Sequence, residues 1–255
     1  MKRARHFRRG VAILPSLFTT GNLFLGFWAI VKTLDGDFAQ AAPLIGGAVV
    51  LDMLDGRIAR LTGTQSAFGA ELDSLADTVS FGVAPALLAY GWALHSVPRA
   101  GWPAAFLFLV CGVLRLARFN VQKHVVDSRF FVGLPIPAAA AQLAAVVLFT
   151  PEPPSQRWAS VLVLGLVVTL ALLMVGTFRY HSFKGVDLRR RRRSISVLGI
   201  AVVFLLVALD PKVFLLVVTS LYTLSGPGLF AIGLARRRGA RPEAAVPTEE
   251  PQAAP

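Results

Sequence analysis

Among 255 residues the sequence holds one cysteine and four histidines. The lone Cys111 sits inside an apolar run, so neither a disulfide framework nor a thiolate metal cluster can be built. It reads instead as a small buried hydrophobe. His6, His95, His124 and His181 lack metal-ligand spacing and take no catalytic role in this reading, although His124 stands beside a basic loop. Charge is also scarce, at 16% of residues, and acidic charge scarcer still, with 14 Asp and Glu against 26 Lys and Arg.

Apolar sequence is what the chain has in quantity. A mean hydropathy of +0.63 is too high for an ordinary soluble domain of this length and points to a polytopic membrane protein. The formal charge of +12 calls for an anionic partner, either lipid headgroups or a phosphorylated substrate. Nucleic acid does not fit, because the basic residues are scattered between apolar spans and not gathered on a soluble domain.

Breaking the apolar runs at charge and proline clusters gives an all-α bundle of eight expected spans, near 13–33, 40–61, 73–95, 101–120, 134–150, 157–178, 194–209 and 212–234. Pro135 and Pro137 are expected to start the fifth. The opening MKRARHFRRG reads as a cytoplasmic basic arm over 1–12, since no small-residue cleavage site follows the first apolar run. A transmembrane catalytic domain would then occupy 13–235, and the Pro-, Ala- and Glu-rich 236–255 a disordered cytoplasmic tail. With the N-terminus inside, all of the 26 Lys and Arg except Lys32, Arg99, Arg157 and Lys212 fall on the cytoplasmic side. That asymmetry places both termini in the cytosol. The run Arg189 to Arg193 reads as an anchor on anionic lipid.

Against this background the stretch LDMLDGRIARLTGTQSAFGAELDSLAD, Leu51 to Asp77, is anomalous. A charged residue inside a span costs on the order of 3 kcal/mol, so four unpaired aspartates would cost roughly 10 kcal/mol. Asp52, Asp55 and Ala59 share one helical face, and Gly69, Asp73 and Asp77 share a face of the next helix. A short turn between them predicts two antiparallel neighbours with these faces opposed at the cytoplasmic end. Four converging carboxylates without His or Cys suit a hard divalent cation, Mg²⁺ or Mn²⁺, and are enough for two ions. Such ions usually complete their shell with phosphate oxygens. Gly56 and Gly69 allow close approach to the backbone, Ala59 leaves space, and Arg60 carries a positive charge suited to phosphate. This is the profile of a pyrophosphate-handling site. Two blander accounts compete: a salt-bridge cluster with Arg57 and Arg60, which leaves Asp73 and Asp77 unexplained, and a cation path of a transporter, which has no need to crowd its carboxylates at one mouth.

The pattern Asp52-x-x-Asp55-Gly56-x-x-Ala59-Arg60, eight residues, then Gly69-x-x-x-Asp73-x-x-x-Asp77 resembles the signature of the CDP-alcohol phosphatidyltransferases at every fixed position. The resemblance implies a six-helix membrane core, a homodimer, and Mg²⁺- or Mn²⁺-dependent transfer of a phosphatidyl group from CDP-diacylglycerol to an alcohol with release of CMP. It implies Asp52, Asp55 and Asp73 as metal ligands, with Gly56, Ala59 and Arg60 near the cytidine and pyrophosphate. Asp77 would complete the cluster and act as the base on the acceptor hydroxyl. A carboxylate tied to two cations is a poor base, and Asp77 stands farthest along the chain from Asp52.

Three further stretches, LPSLFTTGNLFLGF (Leu14 to Phe27), LRLARFNV (Leu114 to Val121) and FVGLPIPAAAA (Phe131 to Ala141), resemble the phosphatidylserine synthase branch, which implies L-serine as acceptor and an inner or plasma membrane location. Arg115 and Arg118, at i and i+3, could hold a serine carboxylate or a donor phosphate, or simply anchor the helix at the headgroups. Asn120 could meet substrate or end its helix. Asn22, Gly21 and Gly26 read as a helix contact with an interhelical hydrogen bond, with substrate contact as the sharper alternative. Glycerol 3-phosphate or an inositol compound remains the alternative acceptor; a phosphorylated one would call for a further basic pocket, for which Arg115, Arg118 and Lys123 are available.

Overall fold

The computed structural model describes residues 2–63, 66–122, 130–181 and 208–239. Eight α-helices lie in these segments: α1 (Lys2–Leu34), α2 (Phe38–Thr62), α3 (Ala67–Asp77), α4 (Ala84–Trp92), α5 (Gly101–Gln122), α6 (Ile136–Phe149), α7 (Arg157–Val175) and α8 (Pro211–Gly239). Thr78–Val83 joins α3 to α4 as a π-helical stretch, so that residues 67–92 form one continuous rod. Among the described residues six spans are long and apolar enough to cross a bilayer, and α6 is a shorter apolar helix. The chain is therefore an integral membrane protein built as a helical bundle. The expected span at 194–209 lies outside the described residues except for 208 and 209.

Local chemistry explains where the helices begin. Ser66, extended at φ −128° and ψ 153°, accepts a hydrogen bond from the Gly69 amide at 3.0 Å and caps α3. The third helix thus starts six residues before the 73 expected from hydropathy, because a cap and not an apolar count sets its origin. Pro135 is the N-cap of α6 and Pro137 lies in its first turn, where a missing N–H costs nothing. α1 likewise continues through the basic arm from Lys2.

The rod of α3, π stretch and α4 runs through the middle of the bundle, with α1, α5 and α6 packed around its π stretch. α1 packs along α2, and α5 along α7. Small side chains such as Ala29, Ala41, Ala48, Ala84 and Ala89 are buried at these contacts, as expected where helices must approach closely without a hydrophobic driving force. α1 also packs on α3, whereas α2 and α3 touch at most marginally. The sequence reading made α2 and α3 antiparallel neighbours with their aspartate faces opposed; one carboxylate oxygen each of Asp52, Asp73 and Asp77 does meet within 4.8 Å, and α1 packs against both helices.

A two-stranded antiparallel ribbon, which hydropathy gave no reason to expect, pairs β1 (Phe130–Val132) with β2 (Arg179–His181) beside the ends of α6 and α7. Tyr180, fully buried, crosses from this ribbon to α8, where its hydroxyl donates to the Thr223 carbonyl at 3.1 Å. The reason lies four residues along: Pro227 has no N–H, so the helix itself supplies no i+4 donor to that carbonyl. Gly226 permits the approach, since any side chain there would overlap the Tyr180 ring.

Candidate functional site

Asp52 on α2 and Asp73 and Asp77 on α3 bring one carboxylate oxygen each to within 4.8 Å of one another, all three half-buried. At that spacing two charges repel by about 3 kcal/mol at an effective dielectric near 20. Three such pairs make a site that a divalent cation would relieve. The donor set, oxygen only, is the one hard cations take. Beside Asp55, Gly56 faces open space that a side chain would fill, and Arg57 is exposed and makes no ion pair with Asp52 or Asp55, so the neutralised-cluster account is not supported by Arg57. Among the described residues the ion pair Lys32–Asp37, at 3.9 Å, lies at the other end of α1. These features fit a bound divalent ion.

Asp55 stands outside the converging three. Its carboxylate accepts a hydrogen bond from the Thr19 hydroxyl of α1, and both residues are buried. Asp77 is held from the same helix, where Asn22 Nδ2 donates to its Oδ1 at 3.1 Å. Thr19 and Asn22 are three residues apart and so lie on one face of α1, pointing one donor at α2 and another at α3. Asn22 was legible in the sequence as a helix contact. Thr19 was missed, although the i, i+3, i+7 series Thr19, Asn22, Gly26 is a small and polar stripe in an otherwise apolar span.

The π stretch that follows Asp77 widens the helix by one residue, with the Ala84 amide bonding back to the Val79 carbonyl. It turns Ser80 onto α1, where the Ser80 hydroxyl donates to the Asn22 backbone carbonyl at 2.9 Å. Gly26 lies against Ser80 so closely that no Cβ could be accommodated.

On the neighbouring α5, Arg115 is 8% exposed and its Nε has no protein partner. It lies within electrostatic reach of Asp77 and of Tyr222 on α8. Arg118 behaves differently: its Nη1 reaches the Val175 carbonyl at the end of α7, at 3.5 Å. The two arginines stay within electrostatic reach of each other but meet different groups, Arg115 facing Asp77 and Arg118 the end of α7. Asn120 donates to the Ser74 hydroxyl at 2.8 Å, which ties α5 to the helix bearing Asp73 and Asp77. Gly69 lies in the first turn of α3, its amide on the Ser66 cap. For Ala59 and Arg60 the structure describes the helix they belong to and not their side chains, and Lys123 and His124 lie outside the described residues.

Comparison with known proteins matches this arrangement. The family model of the CDP-alcohol phosphatidyltransferases fits residues 12–177, which contain every element of the site except α8. A CDP-diacylglycerol–serine O-phosphatidyltransferase of Helicobacter pylori (strain J99) is 39% identical over 197 residues, covering 75% of this chain and 81% of that relative. One of the same name from Bacillus subtilis is 37% identical over 171 residues, covering 67% and 91%. An archaetidylserine synthase of Methanothermobacter thermautotrophicus is 34% identical over 174 residues, covering 68% and 71%. With three aspartates of the signature gathered at one point and the family fit extending over most of the bundle, the chain belongs to the CDP-alcohol phosphatidyltransferase family.

Proposed function

We propose that the protein transfers the phosphatidyl group of CDP-diacylglycerol to L-serine, giving phosphatidylserine and CMP. The observation that carries this reading is the juxtaposition of the Asp52, Asp73 and Asp77 oxygens with the buried guanidinium of Arg115, whose Nε has no protein partner. The names of the relatives point to the same acceptor.

Asp52, Asp73 and Asp77, whose oxygens converge, would hold Mg²⁺ or Mn²⁺ together with Asp55, two ions in the full complement. The bound metal supplies charge neutralisation for the pyrophosphate and the departing CMP. Asp77 accepts the proton of the serine hydroxyl as its oxygen bonds to phosphorus and the bond to CMP breaks. Arg115 pairs with the serine carboxylate and so orients the hydroxyl toward Asp77. Gly56, Ala59, Arg60 and Gly69 border the nucleotide and pyrophosphate. Arg118, engaged on α7, leaves one guanidinium for the acceptor; that suits a carboxylate better than the doubly charged phosphate of glycerol 3-phosphate.

The site faces the cytosol in this reading, with both termini on that side, in the inner or plasma membrane of the cell, and the chain works as a homodimer in contact with lipid. The arm 1–12, the catalytic bundle 13–235 and the tail 236–255 are its divisions. The charge asymmetry of the loops supports the orientation.

Purified protein in detergent, given CDP-diacylglycerol and Mn²⁺, should release CMP with L-serine and not with glycerol 3-phosphate or myo-inositol, and Asp77→Asn should abolish that release. Release with another acceptor would overturn the serine assignment and leave the family intact. Metal uptake without CMP release from any acceptor would favour a transporter.

A further inference from the structure

Asn22 is 1% exposed, in the middle of an apolar helix, and its side chain is only half satisfied. Nδ2 donates to Asp77 Oδ1, while Oδ1 has no partner in the protein. A leucine would pack this position without burying an unpaired carbonyl, so stability alone does not account for the amide. Its orientation is also determined. Turning the amide over would set its carbonyl against the carboxylate, and the backbone is gripped from behind by the Ser80 hydroxyl, which is itself fully buried against Gly26. Asn22 therefore has one rotamer, one partner and a rigid support.

We propose that Asn22 is the positioning residue of Asp77: it fixes the plane of that carboxylate, with Ser80 as its brace, so that the oxygen not held by the amide is presented to the acceptor. The proposal rests on the reading of Asp77 as the base. A neutral donor serves this purpose where a lysine or arginine would not, because it orients the carboxylate without cancelling the charge that the cation and the proton both require.

The test compares Asn22→Ala, Ser80→Ala, Asp77→Asn and the double variant Asn22→Ala/Asp77→Asn, each checked for folding by thermal melting. Two quantities are read: turnover at saturating Mn²⁺, and Mn²⁺ affinity by paramagnetic resonance without substrate. Asn22→Ala should lower kcat by about 10–100-fold with the KM for L-serine changed less than about threefold, and weaken Mn²⁺ binding by about tenfold. Ser80→Ala should act in the same direction, by about 2–10-fold, and serves alone should Asn22→Ala not fold. The double variant should bind Mn²⁺ no more weakly than Asp77→Asn, because Asn22 acts only through that carboxylate. A kcat for Asn22→Ala or Ser80→Ala equal to the parent's, or a double variant that binds Mn²⁺ more weakly than Asp77→Asn by the full Asn22→Ala factor, overturns the proposal while leaving Asp77 as base. Full activity in Asp77→Asn overturns the base itself, and the positioning role with it.

Discussion

Removing the Tyr180 hydroxyl tests how the far side of the bundle is held. In Tyr180→Phe the ring stays, with its neighbour Tyr222 at 5.7 Å, so little apolar contact is lost. What disappears is the donor to the Thr223 carbonyl, which has no helical replacement because residue 227 is proline. The carbonyl lies within a span, where water is a poor substitute, so the full cost of an unsatisfied buried acceptor applies, about 1–3 kcal/mol. For a protein of this size that corresponds to a fall in Tm on the order of 5 °C. The decisive version is a double-mutant cycle with Pro227→Ala, followed by thermal unfolding in detergent. Alanine at 227 restores an N–H to the helix, so in that background Tyr180→Phe should cost less than about 0.5 kcal/mol. An equal penalty for Tyr180→Phe with and without Pro227 would refute the idea that the tyrosine stands in for the missing amide.

Tyr180 also gives a pH dependence. Burial, and then the neighbouring Tyr222, push its hydroxyl up from 10.0 to about 12. The folded protein thus keeps a proton that the unfolded chain releases, so this contribution is complete below about pH 10 and is lost as pH rises toward 12; melting in a pH series should show that decline, flattened in Tyr180→Phe. Arg115→Ala should raise the KM for L-serine by about 10–100-fold, the loss of a charge-assisted hydrogen bond, whereas Arg118→Ala should change it less than about threefold. Steady-state kinetics on both variants checks the separation of the two arginines. Chelation of divalent ions should abolish CMP release, and Mg²⁺ or Mn²⁺ should restore it, followed by a nucleotide assay before and after dialysis.

Much of the site could be seen in the sequence because its chemistry is local. Asp52, Asp73 and Asp77 are costly residues for a span and recur at helical spacing, so a face and a ligand type followed from counting. The helical bundle was equally legible from hydropathy. What could not be counted was which third element would pack against both α2 and α3. Thr19 carries no charge and is common in membrane helices, so its bond to Asp55 depends on the packing of α1 and leaves no trace in spacing alone. The separation of Arg115 from Arg118 is of the same kind: two residues on one face meet different neighbours because α7 ends beside only one of them. The ribbon of β1 and β2 was hidden because three-residue strands fall below any periodicity signal.

The packing of α1 against both α2 and α3 changes how the four aspartates should be understood. Two helices carrying two of these aspartates each fix the number of aspartate oxygens available, but not which of them meet. Thr19 draws Asp55 toward α1 and Asn22 holds Asp77 within the converging group, so a single helical face bears on both helices. Both donors are neutral. A guanidinium or ammonium at either position, about 4 Å from a carboxylate, would contribute on the order of 4 kcal/mol of attraction at an effective dielectric near 20 and would oppose a cation by a similar amount. A hydroxyl and an amide orient the same groups while leaving their charge in place. The polar stripe of the first span is thus as much a part of the site as the aspartates themselves, and the register of α1 against α2 and α3 is the structural variable on which their convergence depends.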